Sequence, residues 1–557
     1  MPSALFRCRL VLAPLLLATG IAGCERAPAP PPAAAPAAPS ESAAAGRIRA
    51  DVAALADDHM QGRRTGTPGF DRAAEYVAGR MRALGLRPGG DHGGWFQQVP
   101  LLQSQRLREG AALVVDRHGR DIALRFGEQF LPAPGFDAGQ ETVTAPAVFV
   151  GYGIVAPALD HDDLAGLDLH GRIALLYRGA PDTFTQDQRA LHGDDADKLA
   201  ALAQRGAVGA VFVGTAPDEA SAPWASVAAA WQRPAMRLRD AEGSPGAGAS
   251  RLRVVASVAA AAADLLFAEQ PRSAAELFLA AQRGTGHGFA LPGTLTLSAR
   301  SRISRVDSRN VVARLPGADP ARRAQALVYS AHLDHLGSEV AGSGDRIHNG
   351  AIDNALGVAI LLETARTLAS GPAPARTQVF VATTGEEQGL LGARWFAAHP
   401  GAAAPVAALN LDMPVLTAPT RDVVAIGGEH SSLQASLQAA AKALAVPVSP
   451  DPYPEEHAFV RGDHYAFVRA GVPTLYLTGG SQASDKARDP VIALRYYLRN
   501  CYHRPCDDAT QPIRYDDAAR LAQLAAGFGR QLDAEASAPQ WLRGDPFGQR
   551  YGGTVAP

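Results

Sequence analysis

From Arg300 onward, short apolar runs alternate with helices of ten or more residues, and this alternation limits the chain more than any other feature it has. Strands are predicted at 326–330, 377–382, 406–411 and 474–477, and helices at 355–368, 433–444 and 516–532. Runs such as Leu327-Val328-Tyr329 are apolar without a polar alternate. A strand of that kind is buried on both faces, which a parallel sheet covered by helices provides. The expected fold class is therefore α/β: a mixed, largely parallel sheet sandwiched by helices. Sheets of this type present their ligands beyond the carboxyl ends of the strands, so polar residues at those positions carry the functional question.

Upstream, residues 48–84 read as largely helical, with an apolar stripe through Val52, Leu55, Ala73, Tyr76, Val77 and Met81 and a stop at Gly85. Short strands follow, at 112–115, 147–150 and 173–176, and a helix at 198–204 leads into a strand at 210–213. This makes 101–297 a β-rich insertion between an N-terminal part at 46–100 and the main domain at 298–540, with a tail at 541–557. The first 24 residues carry Arg7 and Arg9, an apolar run too short to span a bilayer, and then Ile21-Ala22-Gly23-Cys24. That tetrad resembles a bacterial lipobox, which implies export, lipidation of Cys24 and a membrane anchor. Glu25 points to the outer membrane, facing the periplasm. Residues 25–45, mostly alanine and proline, read as a tether. With 53 basic against 55 acidic residues, nothing favours a nucleic-acid partner, and the oligomeric state is left open. Of four cysteines, only Cys501 and Cys506 lie in the folded body, where an exported compartment allows a disulfide.

Five scattered segments place histidines and carboxylates at the ends of these elements. His332-Leu333-Asp334 closes the first strand of the main domain, and period-two alternation puts the imidazole and the carboxylate on one side, with Asp334 as an orienter of the ring. Asp353 stands just before an apolar helix, either as its cap or as a bridge between two cations. Glu386-Glu387 follows a buried-looking strand; such an acid pair is costly to bury unless one binds metal while the other handles a proton. Asp412 ends another apolar strand, and His503 sits between the two late cysteines. Together they form an oxygen and nitrogen donor set, without thiolate, suited to zinc. Asp463-His464 is assigned to the substrate side or to a shell behind the ligands.

In that order and combination, the stretch 310–508 resembles the co-catalytic zinc exopeptidases of metallopeptidase family 28, which include bacterial aminopeptidases and glutamate carboxypeptidases. The resemblance implies two Zn2+ per chain, bridged by Asp353. His332 would hold one and His503 the other, with Asp412 and Glu387 divided between them in an order it leaves open. Glu386 would be the general base, and Asp334 would stand behind His332. Gly62-Arg63-Arg64-Thr65-Gly66-Thr67 resembles the family's opening segment, and the insertion resembles a protease-associated domain through Gly151-Tyr152-Gly153-Ile154 and 198–213. Leu356 departs from the pattern, standing where a serine is common. The expected activity is hydrolysis of terminal peptide bonds, with an aminopeptidase favoured over a carboxypeptidase. A lipid-anchored receptor without chemistry is the competing class.

Overall fold

The computed structural model describes residues 41–239, 252–339 and 344–552, so the leader, Cys24 and the tether up to residue 40 lie outside the described residues. Helix α1 (Ala43–Leu55) begins inside the stretch expected to be tether: Ser42 caps it by accepting from the Ala45 amide at 3.2 Å. Alanine is the strongest helix former, so an Ala-rich run orders once a cap and a packing face exist. Helix α2 (Pro68–Ala83) starts at Thr67, with Pro68 in its first turn, where a missing N–H costs nothing. Val52, Leu55, Phe70, Val77 and Met81 are fully buried. Each such side chain contributes about 1.5–3 kcal/mol of apolar burial.

The main sheet has twelve strands. Its principal members in chain order are β1 (Phe96–Arg117), β2 (Ala235–Leu238), β3 (Thr294–Leu315), β4 (Gln325–His332), β5 (Thr377–Thr383), β6 (Ala404–Leu411), β7 (Val423–Ile426), β8 (Val448–Ser449) and β9 (Thr474–Gly479). They lie side by side as β2-β1-β3-β5-β4-β6-β9-β7-β8. The centre β5-β4-β6-β9 is parallel and its flanks are antiparallel, in agreement with the mixed α/β class expected. Helix α3 (Leu356–Ala369) is apolar almost all round, with Leu356, Val358, Ile360 and Leu361 at 0% exposure, and it forms the middle of one covering layer. Helices α4 (Leu391–Ala398), α5 (Leu433–Ala443), α6 (Pro490–Asn500) and α7 (Tyr515–Ala534) follow it. Among the described residues no helix is long and apolar enough to cross a membrane.

The middle segment has its own six-stranded sheet, in which 147–149, 173–176, 209–213 and 254–258 run parallel, with apolar clusters on both faces. It carries several helices besides the one expected, because parallel neighbours need crossovers. No break marks its expected borders. The 22-residue strands β1 and β3 run straight through residues 101 and 297, paired antiparallel along most of their length.

Candidate metal centre

The strands β4, β5 and β6 end beside one another, with His332 opposite Thr383 in register. Beyond these ends lie His332, the loop carrying Glu386 and Glu387, and Asp412. His332 Nε2 lies 3.0 Å from Asp412 Oδ1 and 3.2 Å from Asp353 Oδ1. The other oxygen of Asp353, Oδ2, is 3.3 Å from His503 Nε2, which in turn is 3.2 Å from Glu387 Oε2. Two donor clusters thus share Asp353, and the division left open by the sequence is seen in the geometry: Asp412 sides with His332 and Glu387 with His503.

The Asp353 carboxylate does not cap α3. Asn354 takes that task, its Oδ1 accepting from the Gly357 amide at 3.0 Å and the Met413 amide at 3.1 Å. Asp353 is instead held through its backbone: Asp507, fully buried, accepts from the Ile352 and Asp353 amides at 2.9 and 3.0 Å and from the Tyr497 hydroxyl at 3.0 Å. His503 stands on a left-handed backbone with φ 58°, stacks on Tyr502 at 3.8 Å between ring centres, and is spanned by the Cys501–Cys506 disulfide.

Asp334 acts otherwise than alternation suggested, because β4 ends at His332. It is the backbone carbonyl of Asp334, not its carboxylate, that lies 3.0 Å from His332 Nδ1. A carbonyl only accepts, so Nδ1 carries a proton and the ring turns Nε2 toward Asp412 and Asp353. The Asp334 carboxylate accepts from Thr65 Oγ1 at 3.0 Å and from the Glu386 amide at 3.1 Å, which fixes the Glu386-Glu387 turn. The same Thr65 oxygen accepts from the Gly385 amide at 3.1 Å. Neighbouring Arg63 is 0% exposed, and its guanidinium donates to the carbonyls of Leu333, Leu55, Asn349 and Gly350. Burial lowers its pKa to about 10, but Asp507, Asp353, Asp334 and Glu387 hold its charge. The segment 62–67 is therefore a clamp on three of the loops that carry site residues.

Asp463 and His464 are 1% and 0% exposed, so they lie behind the cluster and not on a substrate face. His464 stacks on Tyr476 at 5.1 Å and its Nε2 lies 3.1 Å from the Ala458 carbonyl, while burial lowers its pKa to about 4. Asp463 accepts from Thr383 Oγ1, and burial raises its pKa to about 7. A residue passed over in the sequence stands at the heart of the site: His335, 1% exposed, with Nδ1 2.7 Å from Glu387 Oε1. It directly follows Asp334, and a third imidazole beside the first histidine motif was the available signal.

The electrostatics fit cations. Burial disfavours charge on Asp353, yet three imidazoles, His335, His332 and His503, keep it well below the usual carboxylate range. Glu387, buried and repelled by Asp353, is still brought down to about 2 by His335 and His503. Glu386 goes the other way: burial, with Asp412, Glu387 and Asp463 around it, pushes it well above the ordinary value against the pull of His332. Among the described residues its carboxylate has no hydrogen-bond partner, so one acid of the pair is committed and the other is free for a proton. Oxygen and imidazole donors at these spacings suit zinc: His332, Asp353 and Asp412 form one set, and Asp353 and Glu387 form a second with His335 or His503 beside them.

Paired imidazole and carboxylate clusters beyond the ends of a parallel sheet, with a free acid beside them, define a metallopeptidase domain. Residues 310–529, less than half of the chain, match the model of peptidase family M28. A vacuolar membrane protease of Candida dubliniensis is 36% identical over 103 residues, which are 18% of this chain and 10% of that protein; the match thus spans about a tenth of the relative's length. Among solved structures, an aminopeptidase from Aneurinibacillus sp. strain AM-1 is similar at 19% identity, with 87% of this chain and 92% of that one covered and a TM-score of 0.48. A peptidase M28 precursor from Shewanella amazonensis follows at 18% identity, 90% and 98% coverage and a TM-score of 0.42.

Proposed function

We propose that the chain is a di-zinc exopeptidase that releases N-terminal amino acids from peptides. The observation that carries this reading is Asp353, whose two oxygens face two different histidines at 3.2 and 3.3 Å. His332, Asp353 and Asp412 would hold one cation, and Asp353, Glu387 and His503 the other. When bound, the pair would supply Lewis acidity to water and to the scissile carbonyl. Glu386 accepts the proton that the attacking water gives up and returns it to the leaving amine, a role that its raised pKa and unpaired carboxylate support. Asp334 keeps Glu386 in place through its amide, and Arg63 and Thr65 hold the loops that must not shift.

The choice of peptide end rests on charge. A carboxypeptidase needs a free guanidinium, but Arg461 is paired with Glu456 at 3.2 Å. Asp451 is half-buried, and its partial burial, with Glu429, Glu455 and Glu456 around it, raises its pKa; its charge reaches Tyr476, whose hydroxyl donates to the Asp412 carbonyl at 3.1 Å. An acidic rim of this kind favours a substrate ammonium. Purified protein assayed with aminoacyl-anilides and with peptides blocked at the N-terminus decides between the ends: cleavage confined to free N-termini is the expected result, and cleavage of the blocked peptides from the carboxyl end refutes it. The export and lipidation expected at Cys24 are part of the same proposal, tested by incorporation of labelled fatty acid and its loss in Cys24→Ala.

A further inference from the structure

His335 has been given no part in the chemistry so far, yet it lies in contact with Glu387 inside the centre. Its ring is buried between His348, 6.4 Å away, and His503, 5.7 Å away between centroids. Gly350 makes the room: a Cβ there would lie 2.7 Å from the ring's Cδ2, and its φ of 60° suits glycine. The backbone amide of His335 donates to the Arg63 carbonyl at 3.3 Å, so the clamp that holds the ligand loops holds this residue as well.

Two roles fit a histidine in this place: His335, Asp353 and Glu387 lie close enough together to hold an ion, but the length of the His335–Glu387 contact favours an orienter. Two ligand atoms on one tetrahedral zinc, each about 2.0–2.1 Å from it, stand about 3.3 Å apart. The pairs Asp353–His503 and Glu387–His503, at 3.3 and 3.2 Å, have that spacing. His335 Nδ1 does not: it is 2.7 Å from Glu387 Oε1, a hydrogen-bond length, and 3.8 Å from Asp353 Oδ2. Among the described residues its other nitrogen, Nε2, is buried with no hydrogen-bond partner.

Resting on the di-zinc reading above, we propose that His335 is the positioning residue for Glu387: its Nδ1–H donates to Oε1 and so turns Oε2 toward Asp353 and His503. The bond fixes which Glu387 oxygen faces the metal, much as a carboxylate or carbonyl behind a ligating histidine fixes its ring. It acts only on the His503 side of the centre. His332 and Asp412 have no part in it.

The full-length protein carrying His335→Ala or His335→Asn tests this, with zinc affinity measured by competition against a chelator and the Co2+-substituted absorption spectrum recorded alongside. Asparagine puts an amide N–H close to where Nδ1–H stood but is a poor zinc ligand. The expected result is that His335→Ala weakens one of two zinc equivalents about 10–100-fold and leaves the other unchanged. His335→Asn should restore that affinity and the wild-type cobalt spectrum. Two results overturn the proposal: wild-type affinities in His335→Ala, or an asparagine variant as weak as the alanine one, which makes the ring a ligand or mere packing. If the alanine variant does not fold, the asparagine variant against wild type decides alone. Wild-type protein that takes up fewer than two zinc ions sinks the di-zinc reading itself, whatever the variants do.

Discussion

The two halves of the centre are built by different means. His332 and Asp412 extend neighbouring parallel strands of the main sheet, and the His332 side chain is 2% exposed. His503 sits in a short loop on a left-handed residue, its side chain 34% exposed, steadied by Tyr502 and by the disulfide across it. Strand ends are fixed by the hydrogen bonds of the whole sheet, whereas a loop ligand depends on a few local contacts. The sheet half should therefore be formed before any metal arrives, and the loop half should depend on its supports, among them the His335 bond to Glu387.

Removing what the halves share should have the largest effect. Asp353→Asn takes away the bridge and should lose both equivalents of zinc, measured by elemental analysis, together with all detectable hydrolysis. Next comes the proton carrier: Glu386→Gln should lower turnover about 10²–10⁴-fold, in the range of general acid–base catalysis, while zinc content stays at the wild-type value. Near-normal turnover in that variant would reassign the base. Substitution of ligands on one side only then sharpens the contrast: His503→Ala should release one zinc and keep the other.

Acidity separates the two states of the centre. In the metal-free protein burial opposes charge on His503, but Asp353 and Glu387 raise its pKa from 6.5 to about 10. That contribution to stability is whole below pH 6.5 and is lost as pH rises toward 10. Glu387, brought down from 4.5 to about 2, contributes above pH 4.5 and loses its contribution as pH falls toward 2. Zinc replaces the imidazole proton, so its affinity grows as pH rises. The Tm gap between zinc-loaded and zinc-free protein should accordingly widen from pH 6.5 to 9. The smallest effect belongs to the disulfide: Cys501→Ser with Cys506→Ser should weaken only the His503-side zinc, on the order of tenfold or less, as a loss of preorganisation.

Much of the fold and site could be read in the sequence because both rest on local patterns. The strand before His332, the one before Glu386 and the one before Asp412 are mostly apolar and buried, and each of these site residues stands at or just past the strand's end. What escaped depends on contacts between distant segments. Nothing in Gly62-Arg63-Arg64-Thr65 says that the guanidinium will be buried against carbonyls almost 300 residues away. Asp353 and Asn354 are equally good caps by composition, and what distinguishes Asn354 is a tertiary contact, the Met413 amide donating to its Oδ1. Asp334 was expected to meet His332 through its carboxylate, since alternation was carried past the end of the strand. Asp463 was left between the substrate side and a shell behind the ligands, and only its burial against Thr383 decides for the second. His335 was missed because its partner, Glu387, is distant in sequence and close only after β4 and β5 pair.

The central claim is that two cations share Asp353, and anomalous diffraction from crystals of the purified protein, measured on both sides of the zinc edge, tests it most directly. Two peaks are expected to flank the Asp353 carboxylate, one against His332 and Asp412 and the other against Glu387 and His503. A single peak, or a second one away from Asp353, would contradict it.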